Sequence, residues 1–153
     1  MRPLYESSAD LANEQAVIKH LEDKWSCEMF KLPLQYKLDY AIKDKENAVL
    51  GFIEVKVRKY TMAQIQGWGG YMLSLMKWTT GVQLAQTTGL PFILVVKTLD
   101  GLYYLTIDPK VFTESMIQKM IDKRVKLSGR TDRGDWQDVE PCVMLDCNHF
   151  NRM

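Results

Sequence analysis

The sequence predicts an α/β (α+β) domain, one mixed central β-sheet flanked by helices. Three observations point there. Apolar residues near the start recur at helical steps, two stretches in the middle alternate as half-buried strands do, and an apolar run, Asp100-Gly101 and a second apolar run form a hairpin signal. At 153 residues, 46% hydrophobic and 25% charged, the chain matches one ordinary globular domain rather than a disordered segment.

The first helix is predicted from Ser7-Ser8-Ala9-Asp10, which offers side-chain caps, to about Trp25. Leu11, Ile18, Leu21 and Trp25 share one stripe, and Glu14 falls inside it. A strand over 27–32 is stopped by Pro33. Strands over 35–44 and 48–59 follow, joined by the polar turn Asp44-Lys45-Glu46-Asn47. From Thr61 to about Thr88 the pattern is helical, with Met62, Ile65, Trp68, Met72, Leu75 and Met76 on one stripe. Gly67, Gly69 and Gly70 each weaken that helix by roughly 1 kcal/mol relative to Ala, or mark a close approach to the backbone.

Gly89-Leu90-Pro91 ends this helix, and the hairpin about Asp100-Gly101 comes next. Asp108-Pro109 begins another helix with Val111, Met116, Met120 and Ile121 as expected core. Residues 123–135 are expected to form a polar, basic loop, and 139–145 a last strand.

A formal net charge of +1 means that a polyanion would have to be held by a local basic patch. Cys27, Cys142 and Cys147 are an odd set with no disulfide framework, which suits a reducing compartment. The start has no apolar signal core, and no apolar stretch approaches the ~20 residues of a membrane helix. A soluble, cytoplasmic protein is the expectation. No GxxxxGK[ST] is present, and the spacing of Cys142, Cys147 and His149 matches no common zinc module.

Chemistry concentrates on Gly51 to Arg58. Ile53, Val55 and Val57 share one face of this strand, and Glu54, Lys56 and Arg58 the other. A hairpin turning about Glu46-Asn47 sets Asp39 opposite Glu54, with Leu38, Tyr40 and Ile42 joining the apolar face. Adjacent like charges are destabilising unless a cation or proton lies between them. Lys56 supplies part of that compensation, and a divalent ion such as Mg²⁺ on hard oxygen ligands would supply more. Glu14, facing the core from the first helix, would be costly unless paired, hydrogen-bonded or near a metal. Structural roles compete with these readings: a cap or a Lys pair for Glu14, and a solvated charge ladder for Glu54 and Lys56.

Glu14, then Asp39, then Glu54-Val55-Lys56, on helix, strand and strand, resemble the PD-(D/E)XK nuclease superfamily. The resemblance covers about residues 8–107, whose αβββαββ order is similar to that superfamily's restriction-endonuclease-like core, and leaves 108–153 as a C-terminal extension of a single domain. Leu38 stands where the signature has Pro. The Gln-x-x-x-Tyr signature of RecB-like members is missing, although Tyr60, Gln64, Gln66 and Tyr71 lie in the corresponding helical region. A helix-borne Glu ahead of the Asp is similar to the resolvase-like and restriction-like branches. Phage and mobile-element nucleases resemble the chain in size.

This resemblance implies a Mg²⁺-dependent endonuclease hydrolysing DNA phosphodiesters, with Mn²⁺ as a substitute ion and structure-selective cutting within its range. Asp39, Glu54 and the backbone carbonyl of Val55 would ligate the metal. Glu14 would ligate a second ion or orient a water, and Lys56 would position the attacking water and offset charge on phosphorus. Double-strand cutters and resolvases generally use two active sites, which implies a homodimer. Arg58, Lys59, Gln64 and Gln66 are candidate contacts to DNA, as are Arg130 and Arg133 in a basic loop with Lys123, Arg124 and Lys126. Trp68 and Tyr71 are either core residues or platforms for unpaired bases. The alternative function is a non-catalytic nucleic-acid-binding or assembly module that retains a nuclease-like fold.

Overall fold

A capping box opens the first helix of the computed structural model, which describes residues 7–33, 36–128 and 139–153. Ser7 accepts the amide of Asp10, whose carboxylate accepts the amide of Ser7 in return, starting α1 (Ser8–Trp25). Ser26, in the left-handed region at φ 51°, ends it. Three strands follow: β1 (Glu28–Lys31), β2 (Tyr40–Lys43) and β3 (Val49–Val57). Then come α2 (Met62–Gly67), β4 (Tyr71–Ser74), α3 (Leu75–Thr88), the hairpin β5 (Phe92–Lys97) and β6 (Leu102–Ile107), and α4 (Glu114–Lys119). β7 (Ile121–Ser128), β8 (Glu140–Leu145), a 3-10 turn at Cys147–His149 and β9 (Asn151–Arg152) complete the described elements.

The fold is α+β. A six-stranded mixed sheet runs β1-β2-β3-β5-β6-β9, with β3 and β5 parallel and the other pairs antiparallel. A parallel pair requires a crossover, and α2, β4 and α3 provide it. The central strands β2, β3 and β5 are covered on both faces, while the edge strands β1 and β9 are largely exposed. α1 lays Val17, Ile18 and Leu21 on Tyr40, Ile42, Ile53, Val55 and Val95. On the other face Trp78 and Ala85 of α3 pack with Phe92, Leu94 and Val96. Gly81 lets α3 come this close, because a Cβ there would lie 2.4 Å from the Phe92 ring.

Several expectations need correction. The strand expected over 35–44 is confined to Tyr40–Lys43. Lys37 takes a left-handed φ of 59° and Asp39 lies in a bend, so the chain reaches the ladder only at Tyr40. That bend turns Leu38 into the core under α3 rather than onto the face of Tyr40. The predicted phase holds over Tyr40–Ile42, then a bulge shifts the register by one and pairs Lys43 with Val49.

The helix expected over 61–88 is two helices separated by β4. Gly69 and Gly70 break it with φ values of 100° and 114°, conformations open mainly to glycine. At Gly70 a Cβ would also meet the Leu145 carbonyl oxygen at 2.4 Å. That approach belongs to a second, three-stranded sheet, β4-β8-β7. The supposed loop after α4 begins as β7, because β8 supplies backbone partners that polar side chains do not announce. Met120 is buried as expected, whereas Val111 and Met116 are exposed and Ile117 is buried instead.

Candidate active site

The end of the β2–β3 ladder determines which charges meet. Tyr40 pairs with Ile53 and Ala41 with Phe52, and beyond Tyr40 the ladder stops. Asp39 turns its carboxylate into that gap, where Oδ2 accepts the Val55 amide at 2.9 Å. A central-strand N–H is thus satisfied by a side chain instead of by backbone.

Glu54 alternates away from the α1 face and is fully buried toward α3. Two ammonium groups hold it. Lys56 Nζ lies 2.5 Å from Oε1, and Lys77 Nζ donates to Oε2 at 3.0 Å. Lys77 Nζ also lies 3.7 Å from Asp39 Oδ1, so one cation spans both acids. Burial pushes the Glu54 carboxyl above its ordinary range; Lys56 and Lys77 oppose that, and Asp39 adds to it. For Lys56, burial favours the neutral amine, but Glu54 and then Asp39 override it and raise its pKa.

Lys77 escaped the sequence reading. It is the only charged residue of α3, in the first turn of a helix that otherwise buries Trp78, Gly81 and Ala85. A lone charge on an otherwise uncharged helix was the available signal.

The donor set fits a hard divalent ion. Glu54 Oε1 is fully buried and meets the Lys56 ammonium at 2.5 Å, and a carboxylate oxygen with two lone pairs keeps capacity for a second, hard partner. Among the described residues no three His, Cys, Asp or Glu side chains converge to hold a metal. The protein ligands would be two carboxylates and a main-chain carbonyl, with water completing an oxygen shell.

The remaining candidates are dispersed. Glu14 is buried as its helical phase predicts, but Lys31 of β1 takes its carboxylate in an ion pair. α1 covers the sheet face opposite Glu54, and no described contact joins Glu14 to Asp39 or Glu54. Arg58 extends the face of Glu54 and Lys56 and is half-buried, whereas Lys59 is exposed. Gln64 closes a capping box with Thr61, and the Gln66 side-chain oxygen accepts the Cys147 amide at 2.9 Å. Arg130 and Arg133 lie outside the described residues. Cys27, Cys142 and Cys147 are free, with burial raising each thiol. Among the described residues no helix is long and apolar enough to cross a membrane.

A family model described as "phage putative PDDEXK endonuclease" matches residues 1–153. The fold is similar to that of Archaeoglobus fulgidus Hjc, a Holliday junction resolvase, with a TM-score of 0.54 and 13% identity over 95% of this chain and 93% of that one. None of the curated proteins matches significantly.

Proposed function

We propose, from the premise that this chain belongs to the phage PDDEXK endonuclease family, that it is a Mg²⁺-dependent DNA endonuclease centred on Asp39, Glu54 and Lys56. One observation carries the reading. A fully buried glutamate, a neighbouring aspartate and two lysines meet at the end of a central strand. Buried charges of this kind are costly to keep for structure alone, since apolar replacements of equal volume are often as stable.

Asp39 and Glu54, with the Val55 carbonyl, would hold the ion. When bound, a divalent cation lowers the pKa of a coordinated water and offsets charge developing on the phosphoryl oxygens. Lys56, fixed against Glu54, would orient the attacking water and stabilise the transition state with a charge already in place. Lys77 would yield its position between the acids and be available to a phosphate oxygen. Glu14 lies outside this set and would take part only by releasing Lys31. DNA is the proposed substrate, and branched DNA its structure-selective form, in keeping with the junction resolvase whose fold is similar. A homodimer would supply two such centres.

Labelled duplex, single-strand, flap and four-way-junction DNAs, incubated with Mg²⁺ or Mn²⁺ and with EDTA, test the reading. Cutting should require the metal, and Glu54→Gln or Lys56→Ala should lower it on the order of 10²-fold or more. Variants that cut at the wild-type rate would refute the assignment. A protein whose melting temperature ignores Mn²⁺ would be the non-catalytic binding module instead.

A further inference from the structure

Beside the acidic centre lies a cavity of about 180 Å³ whose lining includes Arg58, Tyr60, Trp68, Tyr71, Met72 and Met144. We propose that it binds one unpaired nucleobase of the DNA strand engaged at the centre, a substrate-class inference that rests on the endonuclease reading. Position comes first. Arg58 follows Lys56 by two residues on the same face, roughly 7 Å along the strand, and donates its own amide to the Lys97 carbonyl at 2.8 Å. The cavity is therefore the next stop for a chain whose phosphate sits at Lys56.

The lining suits a base. Trp68 is 58% exposed and Tyr60 47%, an unusual display for two large aromatics in contact. Their rings meet edge to face at 4.8 Å, so Tyr60 steadies the indole while leaving a face for stacking. Trp68 caps the end of α2, donating its amide to the Ile65 carbonyl, and the glycine turn that follows carries the chain away from it. Tyr71, buried and tilted against Phe150 at 5.9 Å between ring centroids, gives the cavity a fixed aromatic wall.

Charge selects the occupant. The Arg58 guanidinium lies 5.5 Å from the Tyr71 ring, and no described carboxylate pairs with it. The lining described contains a cation and no acid. A polyanion with a planar apolar group complements that surface, by stacking and by phosphate contact. A second copy of the chain would need a carboxylate to meet Arg58.

Binding rather than cleavage tests this. Fluorescence anisotropy in EDTA would compare labelled oligo(dT) with a blunt duplex of equal length. Trp68→Ala should weaken oligo(dT) binding roughly tenfold or more, the scale of one lost base stack, and change duplex binding less than about twofold. Trp68→Phe, which keeps a ring, should restore most of the affinity. Arg58→Gln should weaken oligo(dT) binding and flatten its salt dependence. The proposal is overturned if wild-type protein does not bind oligo(dT), if Trp68→Ala affects both DNAs alike or neither, or if it dissociates a dimer in sedimentation. Wild-type protein that binds oligo(dT) through Trp68 yet never cuts with Mg²⁺ would uphold the pocket and refute only the nuclease reading.

Discussion

Lys77 Nζ donates to Glu54 Oε2 at 3.0 Å while standing 3.7 Å from Asp39, in the position between two acids where a divalent ion would do the same electrostatic work. The Lys77 side chain is 26% exposed and enters from the outer edge of the site, whereas Glu54 has no exposure at all. A divalent ion held by the two acids would therefore compete with the lysine for one place, and only the lysine is tethered.

Lys77→Met should accordingly have opposite effects with and without metal. In EDTA the variant should lose about 1–3 kcal/mol, since a buried carboxylate is left with one ammonium instead of two. With Mn²⁺ its melting temperature should rise further than that of the wild type, because no tethered cation opposes binding. Thermal melts across a Mn²⁺ series measure both. A smaller rise than in the wild type would mean that Lys77 assists the ion and does not compete with it.

Asp39 performs two duties that substitution can separate. Its Oδ2 accepts the Val55 amide, a structural bond, while its charge faces Lys77. Asp39→Asn keeps an acceptor and should fold with nearly wild-type stability, yet lose metal-dependent cutting on the order of 10²-fold. Asp39→Ala leaves a buried N–H unsatisfied and should cost a further 1–3 kcal/mol or so. Denaturant melts of the pair, set beside their cleavage rates, decide the matter. Equal stability of Asn and Ala variants would remove the bond's structural role.

How much of this was legible depended on range. Alternation in Tyr40–Ile42 and Gly51–Val55, with a short polar turn between them, set the phase that brings Asp39 to Glu54. Helical phase likewise turned Glu14 inward. Its partner Lys31 was not legible, because no local pattern couples a helix residue to a strand seventeen positions on. Lys77 showed only as a lone charge on its helix, and its partner was hidden for the same reason, since it reaches Glu54 only after α3 crosses the sheet. Asp39 read as a strand residue because a carboxylate that replaces a ladder bond has the spacing of one that merely flanks it. β4 sat within a helical stripe, and only the conformations of Gly69 and Gly70 distinguish the two.

Packing of α3 transmits to the same centre. Gly81 lies one turn beyond Lys77 and against Phe92. Ala at an ordinary helix interior gains up to about 1 kcal/mol over Gly. Here its methyl would lie 2.4 Å from a ring fully buried between elements, so the helix or the ring must move. Gly81→Ala should therefore destabilise by about 1–3 kcal/mol and, by displacing α3 and the tethered Lys77 with it, enlarge the Mn²⁺ stabilisation as Lys77→Met does. A Phe92→Leu change in the same chain should recover part of the loss in thermal melts. A Gly81→Ala protein more stable than the wild type would show that this contact yields easily.

Asp100 links the β5–β6 turn to the helix that presents Trp68, and it makes stability depend on acid. The Thr98 hydroxyl at 2.7 Å, then the Met62 amide at 3.0 Å, hold its carboxyl below the ordinary range; Tyr103 adds a third bond at 3.1 Å. A carboxyl depressed in the folded state binds fewer protons there than in the unfolded chain, where it titrates near pH 3.9 or so. Its contribution is thus complete above that value and is lost as pH falls through the folded pKa. Asp100→Asn keeps an acceptor for Met62 but does not ionise. The gap in melting temperature between wild type and variant should stay constant from neutral pH to about 5 and close below about 4. Since Met62 begins α2, the neutral-pH variant should also bind oligo(dT) less tightly through a looser Trp68. A gap that survives unchanged to pH 3 or so would mean that the charge of Asp100 holds neither the turn nor the helix.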